Sequence, residues 1–73
     1  MAHKVIYDAL IKKYEADIAD ASAKITILMT ETRIIPEHID VTGEIDKLVG
    51  KIEEAEARMA ILQRVYGVNV ALN

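Results

Sequence analysis

The chain has 73 residues, of which 52% are hydrophobic and 29% charged, and its formal net charge is −3. This length suits one small domain, residues 1–73, and the composition excludes an intrinsically disordered chain. Cysteine is absent, which excludes disulfides and thiolate metal sites, and the acidity argues against nucleic acid or an anionic membrane as a partner.

The N-terminal half carries one long amphipathic pattern. Its apolar positions are separated alternately by four and three residues, which is the spacing of a coiled-coil seam. These positions are Tyr7, Ile11, Tyr14, Ile18, Ala21, Ile25, Leu28, Thr32 and Ile35, of which all but Thr32 are apolar or aromatic. We predict a first helix over about residues 3–34 that ends before Pro36, because proline lacks an amide donor and disfavours helical backbone at the preceding residue.

A short connector over residues 36–41 is predicted to follow. Thr42 is a candidate N-cap for a second helix, and Asp40 is the alternative, since both side chains can accept a hydrogen bond from a free amide of the first turn. Glu44 and Asp46 then lie in that first turn, where the helix dipole favours acidic side chains.

The second helix is predicted over about residues 42–66. It repeats the alternating spacing, with seam positions Val41, Ile45, Leu48, Ile52, Ala55, Met59, Leu62 and Tyr66. Gly67 is well placed to end this helix as a C′ glycine, which leaves residues 67–73 as a tail.

The two seams match each other in reverse order. Ala21 with Ala55 and Leu28 with Leu48 each give residue numbers that sum to 76. A constant sum is the signature of two helices that fold back on each other. The sequence therefore predicts an all-α fold, an antiparallel helical hairpin with a coiled-coil-like seam.

Two stripes of small residues lie on the backs of the predicted helices. Alanine recurs at positions 2, 9, 16 and 23, and Gly43, Gly50 and Ala57 occupy the equivalent positions of the second helix. One explanation of each stripe is a solvated face, on which alanine favours the helix and glycine is tolerated. The other explanation is the close approach of a further helix.

No pattern of catalytic or ligand-binding residues occurs. His38 lies near Glu37 and Asp40, which is typical of a polar loop, His3 lies at the N-terminus, and the single serine, Ser22, has no histidine partner in the hairpin. We expect no enzymatic activity and no cofactor or metal site.

Apolar residues outside the seam predict self-association, because a single short hairpin leaves them exposed. They are Leu10, Ile27, Met29, Ile34, Val49, Ile61 and Val65. The simplest source of helices to cover them is a second copy related by two-fold symmetry. A homodimeric four-helix bundle is therefore predicted, with a higher oligomer as the alternative.

These features favour a structural or assembly role, in which a self-associating hairpin presents its helices to a protein partner. The alternatives are a small regulator or inhibitor that binds one macromolecule through its turn or tail, and a subunit that lends acidic residues to a site formed on assembly. No apolar run approaches the ~20 residues of a membrane span and no signal-peptide pattern occurs, so a cytoplasmic location is predicted.

Overall fold

Two helices make up the part of the chain that the computed structural model describes, residues 2–30 and 40–71. Helix α1 spans Ala2–Thr30 and helix α2 spans Val41–Ala71, and they pack against each other. No strand occurs among the described residues, so the predicted all-α class is confirmed for them. Predictions for the end of the first helix, the connector and its histidine, and Thr32, Ile34 and Ile35 lie outside the described residues.

The helices run antiparallel. Near one end, a Cβ atom placed on Gly67 would lie 3.4 Å from the hydroxyl oxygen of Tyr7, while near the middle Tyr14 and Ala55 line one groove. Residue numbers that rise along α1 therefore fall along α2. Helices of about 30 residues are about 45 Å long, and the whole chain measures 53 × 15 × 15 Å, so the two helices lie side by side. The predicted helical hairpin is confirmed.

The core of the hairpin is narrow. Ala21 and Ala55 are its most buried residues, with 1% and 4% of their surface exposed, and Leu48 is also buried. No large side chain among the described residues is fully buried. The other seam positions from Tyr7 to Leu28 and from Val41 to Leu62 are half-buried, as expected where each helix is covered by one neighbour only.

Tyr66, assigned to the seam from the sequence, is 54% exposed. Gly67, the next residue, is half-buried and lies beside the hydroxyl group of Tyr7. The covered part of α2 therefore ends, within the described residues, close to Leu62 and Gly67, both of which are half-buried.

Asp40 caps the N-terminus of α2. Its Oδ1 atom accepts a hydrogen bond from the amide of Gly43 at 3.0 Å, and its carbonyl oxygen accepts one from the amide of Glu44 at 2.9 Å. Thr42, the first candidate from the sequence, lies inside the first turn, so that assignment was wrong and the alternative was right. A Cβ atom on Gly43 would overlap Oδ2 of Asp40, so glycine gives the capping carboxylate its space.

The C-terminal end of α2 also differs from the prediction. The helix continues through Gly67 to Ala71, five residues beyond the predicted end at Tyr66. A C′ glycine ends a helix by adopting a left-handed conformation, and no described glycine has a positive φ. Most of residues 67–73 therefore belong to the helix instead of forming a separate tail.

Replacing Ala21 or Ala55 by Leu tests the narrow core. Either change forces a larger side chain into a filled layer, and we expect it to lower the free energy of unfolding by about 1–3 kcal/mol. Urea denaturation followed by circular dichroism measures this loss. Ala19→Leu is the control, because Ala19 is exposed on α1, the helix that contains Ala21. Equal stability of the Ala21, Ala55 and Ala19 variants would contradict a close approach of the helices at these residues.

Replacing Asp40 by Ala tests the cap. The amide of Gly43 would lose its acceptor, and we expect the free energy of unfolding to fall by about 1 kcal/mol. Asp40→Asn keeps an acceptor oxygen and should retain most of the stability. Thr42→Ala should have a smaller effect than Asp40→Ala, and the reverse order would contradict the assignment of Asp40 as the cap.

Candidate interaction surfaces

A shallow groove of about 300 Å³ follows the middle of the hairpin, where charged side chains from both helices stand around two covered residues, Tyr14 and Ala55. Its lining residues are Lys13, Tyr14, Asp17, Asp20, Lys51, Glu54, Ala55 and Arg58. The charged groups are exposed, so the groove is a surface and not an enclosed pocket. Among the described residues no cluster of three or more His, Asp or Glu side chains could hold a metal ion.

The groove marks one side of the hairpin, which we call the neutral flank. A helix turns about 100° per residue, so residues spaced by three, four and seven from the groove positions share its side. The charged residues of this flank are Lys13, Asp17, Asp20, Lys24, Glu44, Lys47, Lys51, Glu54 and Arg58. Five are cationic and four are anionic, so the flank is nearly neutral.

Most charges of the neutral flank are already paired within their own helix. The ion pairs are Lys13 with Asp17 at 2.9 Å, Lys24 with Asp20 at 3.0 Å, Lys47 with Glu44 at 3.4 Å, and Arg58 with Glu54 at 2.7 Å. Each pair is exposed and contributes only a few tenths of a kcal/mol to the helix. Their larger effect is on the character of the surface, which presents paired charges instead of isolated ones.

The opposite side, which we call the acidic flank, has a different balance. Its charged residues are Asp8, Lys12, Glu15, Asp46, Glu53 and Glu56, so five anions accompany one cation. Asp8 pairs with Lys4 at 3.0 Å. Among the described residues the other four acids form no ion pair, so this flank carries an unbalanced negative charge.

Exposed apolar side chains lie at both ends of the hairpin. The open end, where the start of α1 meets the end of α2, exposes Val5, Ile6, Ile61, Val65 and Tyr66. The other end exposes Ile27, Met29 and Val49. Of the interface residues predicted from the sequence, Leu10 is half-buried and Ile34 is outside the described residues, while the other five are exposed.

Val5 and Ile6 were missing from the predicted interface, although both are more than half exposed. The signal for Ile6 was present in the sequence, because Ile6 lies one helical turn before Leu10 and three heptads before Ile27. Such spacing places all three on one side of α1. Val5 lies on the other side, three residues before Asp8, which is three heptads before Met29. The same spacing rule therefore connects Val5 to Met29.

Gly50, where the sequence left open a close helix crossing, has open space around it. A Cβ atom placed there meets no other atom within 4 Å. The packing of α1 against α2 therefore does not require glycine at this position.

Comparison with models of protein families, with curated proteins and with solved structures found no match. Neither described helix contains a segment that is both long enough and apolar enough to cross a membrane.

Replacing Gly67 by Ala tests whether this glycine is an interior helix residue. Alanine is favoured over glycine in a helix by up to about 1 kcal/mol, and the added Cβ atom would make ordinary contact with Tyr7. We therefore expect a higher free energy of unfolding, measured by denaturant titration. Gly50→Ala is the control, with open space around it, and should give a similar gain. A loss at Gly67 beside a gain at Gly50 would indicate the helix-ending conformation instead.

Proposed function

We propose that this protein has an assembly role: the hairpin pairs with a second copy to form a four-helix bundle, and the bundle presents its remaining helix surface to a protein partner. The observation that carries the proposal is the amount of surface that one hairpin leaves exposed. The accessible surface is 5652 Å², whereas a compact monomer of 8.1 kDa exposes about 4,500 Å².

The elongated shape explains this excess. The radius of gyration is 16.4 Å, against about 11 Å for a compact domain of this length. Two helices side by side cover one stripe of each other, so the remaining apolar side chains stay in contact with water. The excess of about 1,100 Å² is comparable to the ~800 Å² that each partner buries in a standard interface.

The exposed apolar side chains favour a second copy of this chain as the partner. Eight large hydrophobic side chains among the described residues are exposed, and they occur on both helices. Packing against further helices would cover them in the way that helix bundles normally do. A second copy supplies those helices without any other gene product, and two-fold symmetry is the commonest arrangement of such assemblies.

The alternative of a small regulator that acts through its tail has less support. Its proposed binding element was the segment after Tyr66, and residues 67–71 are part of α2. A helical end offers side chains on a helix surface instead of a free extended strand. The turn, which was the other proposed element, lies outside the described residues.

Light scattering combined with size-exclusion chromatography tests the proposal. We expect a mass of about twice 8.1 kDa at micromolar concentration. Because association and folding are linked, the melting temperature should rise as the protein concentration is raised. A protein that elutes as a monomer and melts cooperatively at a temperature independent of concentration would contradict the proposal.

A further inference from the structure

We infer that the two copies meet through their neutral flanks with their open ends together, and that the acidic flanks face outward. This inference rests on the proposed self-association and names the surface and the orientation that it uses. Three observations on different residues carry it: the charge balance of the two flanks, the position of the exposed apolar side chains, and the dimensions of the hairpin.

The charge balance decides which flank can face its own copy. In a two-fold interface each surface meets itself, so a flank with net charge repels its partner. The acidic flank carries five anions and one cation, and four of those anions are unpaired among the described residues. The neutral flank carries five cations and four anions, eight of which are joined in ion pairs along a helix. Self-association through the neutral flank avoids the repulsion.

The apolar side chains decide the orientation. Ile6, Leu10, Ile61 and Val65 lie on the neutral flank at the open end, and their spacing places them in adjacent turns of the two helices. With the open ends together, these four residues face the same four residues of the second copy, and together they form one apolar layer. With one copy reversed about the middle of α2, Val65 would instead lie at the level of the partner's Lys47 and Ile61 at that of the partner's Lys51, so charged groups would be removed from water.

The charged middle of the flank is compatible with the same orientation. Asp17 and Arg58 have residue numbers that place them opposite each other across the two helices, and both line the groove. With the open ends together, each Asp17 lies at the level of the partner's Arg58, so opposite charges become neighbours between copies.

The dimensions of the hairpin fit this use of one flank. A face 53 Å long and 15 Å wide presents about 800 Å² in projection, which is the area that each partner contributes to a standard interface. One flank is therefore large enough for a stable dimer, and the acidic flank stays available.

The assignment changes part of the interface predicted from the sequence. Ile27, Ile61 and Val65 remain on the interacting side, together with Leu10. Met29 and Val49 lie across the seam from them, on the acidic flank, and are left uncovered by the second copy. They stay available to another partner.

A matched pair of substitutions tests the choice of flank. Ile61 and Val49 lie on the same helix and are 52% and 50% exposed, but they belong to opposite flanks. We expect Ile61→Glu to raise the dissociation constant of the dimer by at least about 30-fold, because the new charge is buried between copies. Val49→Glu should leave it within a factor of about two, since this side chain stays in water.

Analytical ultracentrifugation measures both constants, and circular dichroism reports folding. Loss of the dimer or of the fold in Ile61→Glu alone supports the inference. The same dissociation in both variants, in Val49→Glu alone, or in neither variant would overturn the choice of flank.

Spin labels test the orientation on a dimer that needs no interface substitution. The chain has no cysteine, so Ala9→Cys and Ala23→Cys each give one label per copy. Both residues are exposed on the back of α1, away from both flanks. With the open ends together, pulsed electron paramagnetic resonance should give similar distances between copies at both positions, roughly 20–30 Å, set by helix spacings of 8–10 Å.

A reversed copy gives a different result. Copies that overlap along their whole length of 53 Å have the two-fold axis near residue 20 of α1. Ala9 is then displaced along the helix from its equivalent by about 33 Å and Ala23 by about 9 Å, at 1.5 Å per residue. Such a difference would overturn the orientation. A monomer in light scattering would overturn the proposed assembly itself, so the two failures are distinguishable.

Discussion

The narrow layer between two helices is the constraint on which the rest of this structure depends. Each helix has one neighbour, so only a stripe of its surface is removed from water, and Ala21, Leu48 and Ala55 are the buried hydrophobic residues among those that the structure describes. Larger seam residues keep part of their surface exposed. This limit follows from the number of elements and not from the quality of the packing, because two cylinders touch along one line.

The helix ends depend on polar groups close to them. Four amide groups at the start of any helix lack an intrahelical acceptor, and at α2 Asp40 satisfies one of them with its side chain. Gly43 leaves room beside it, because a Cβ atom at that position would meet the carboxylate and displace it from its capping position. At the other end Gly67 keeps the helical conformation, and the hydroxyl of Tyr7 lies next to it, so a residue typical of helix ends is part of the helix interior.

The charges divide the hairpin into two unlike sides. Ion pairs formed along each helix make the neutral flank a surface of paired charges, while the acids across the seam remain unbalanced. A single exposed pair adds little stability. The separation matters more for association, because like charges on one surface oppose contact with an identical surface. In the proposed dimer, the apolar side chains at the open end add a driving force on the neutral side.

The sequence by itself determined the helical class, the antiparallel pairing and the positions of the small residues at the centre. The reason is that the alternating spacing and the constant residue sum depend only on helical periodicity and chain direction. Ala21 and Ala55 were paired by the residue sum of 76, and they are the two most buried of the residues that the structure describes. The predicted four-helix bundle remains a proposal, because it concerns contacts with a second copy.

Only the tertiary structure decided the cap, the length of α2 and the ion pairs along each flank. Asp40 and Thr42 have similar capping propensity, so the choice depended on which side chain reaches a free amide. Gly67 is typical of helix ends, and whether it ends a helix depends on its backbone conformation. Helical spacing already places a charged residue on one side of the hairpin or the other. Which acid pairs with which base depends on side-chain conformation, which spacing leaves open.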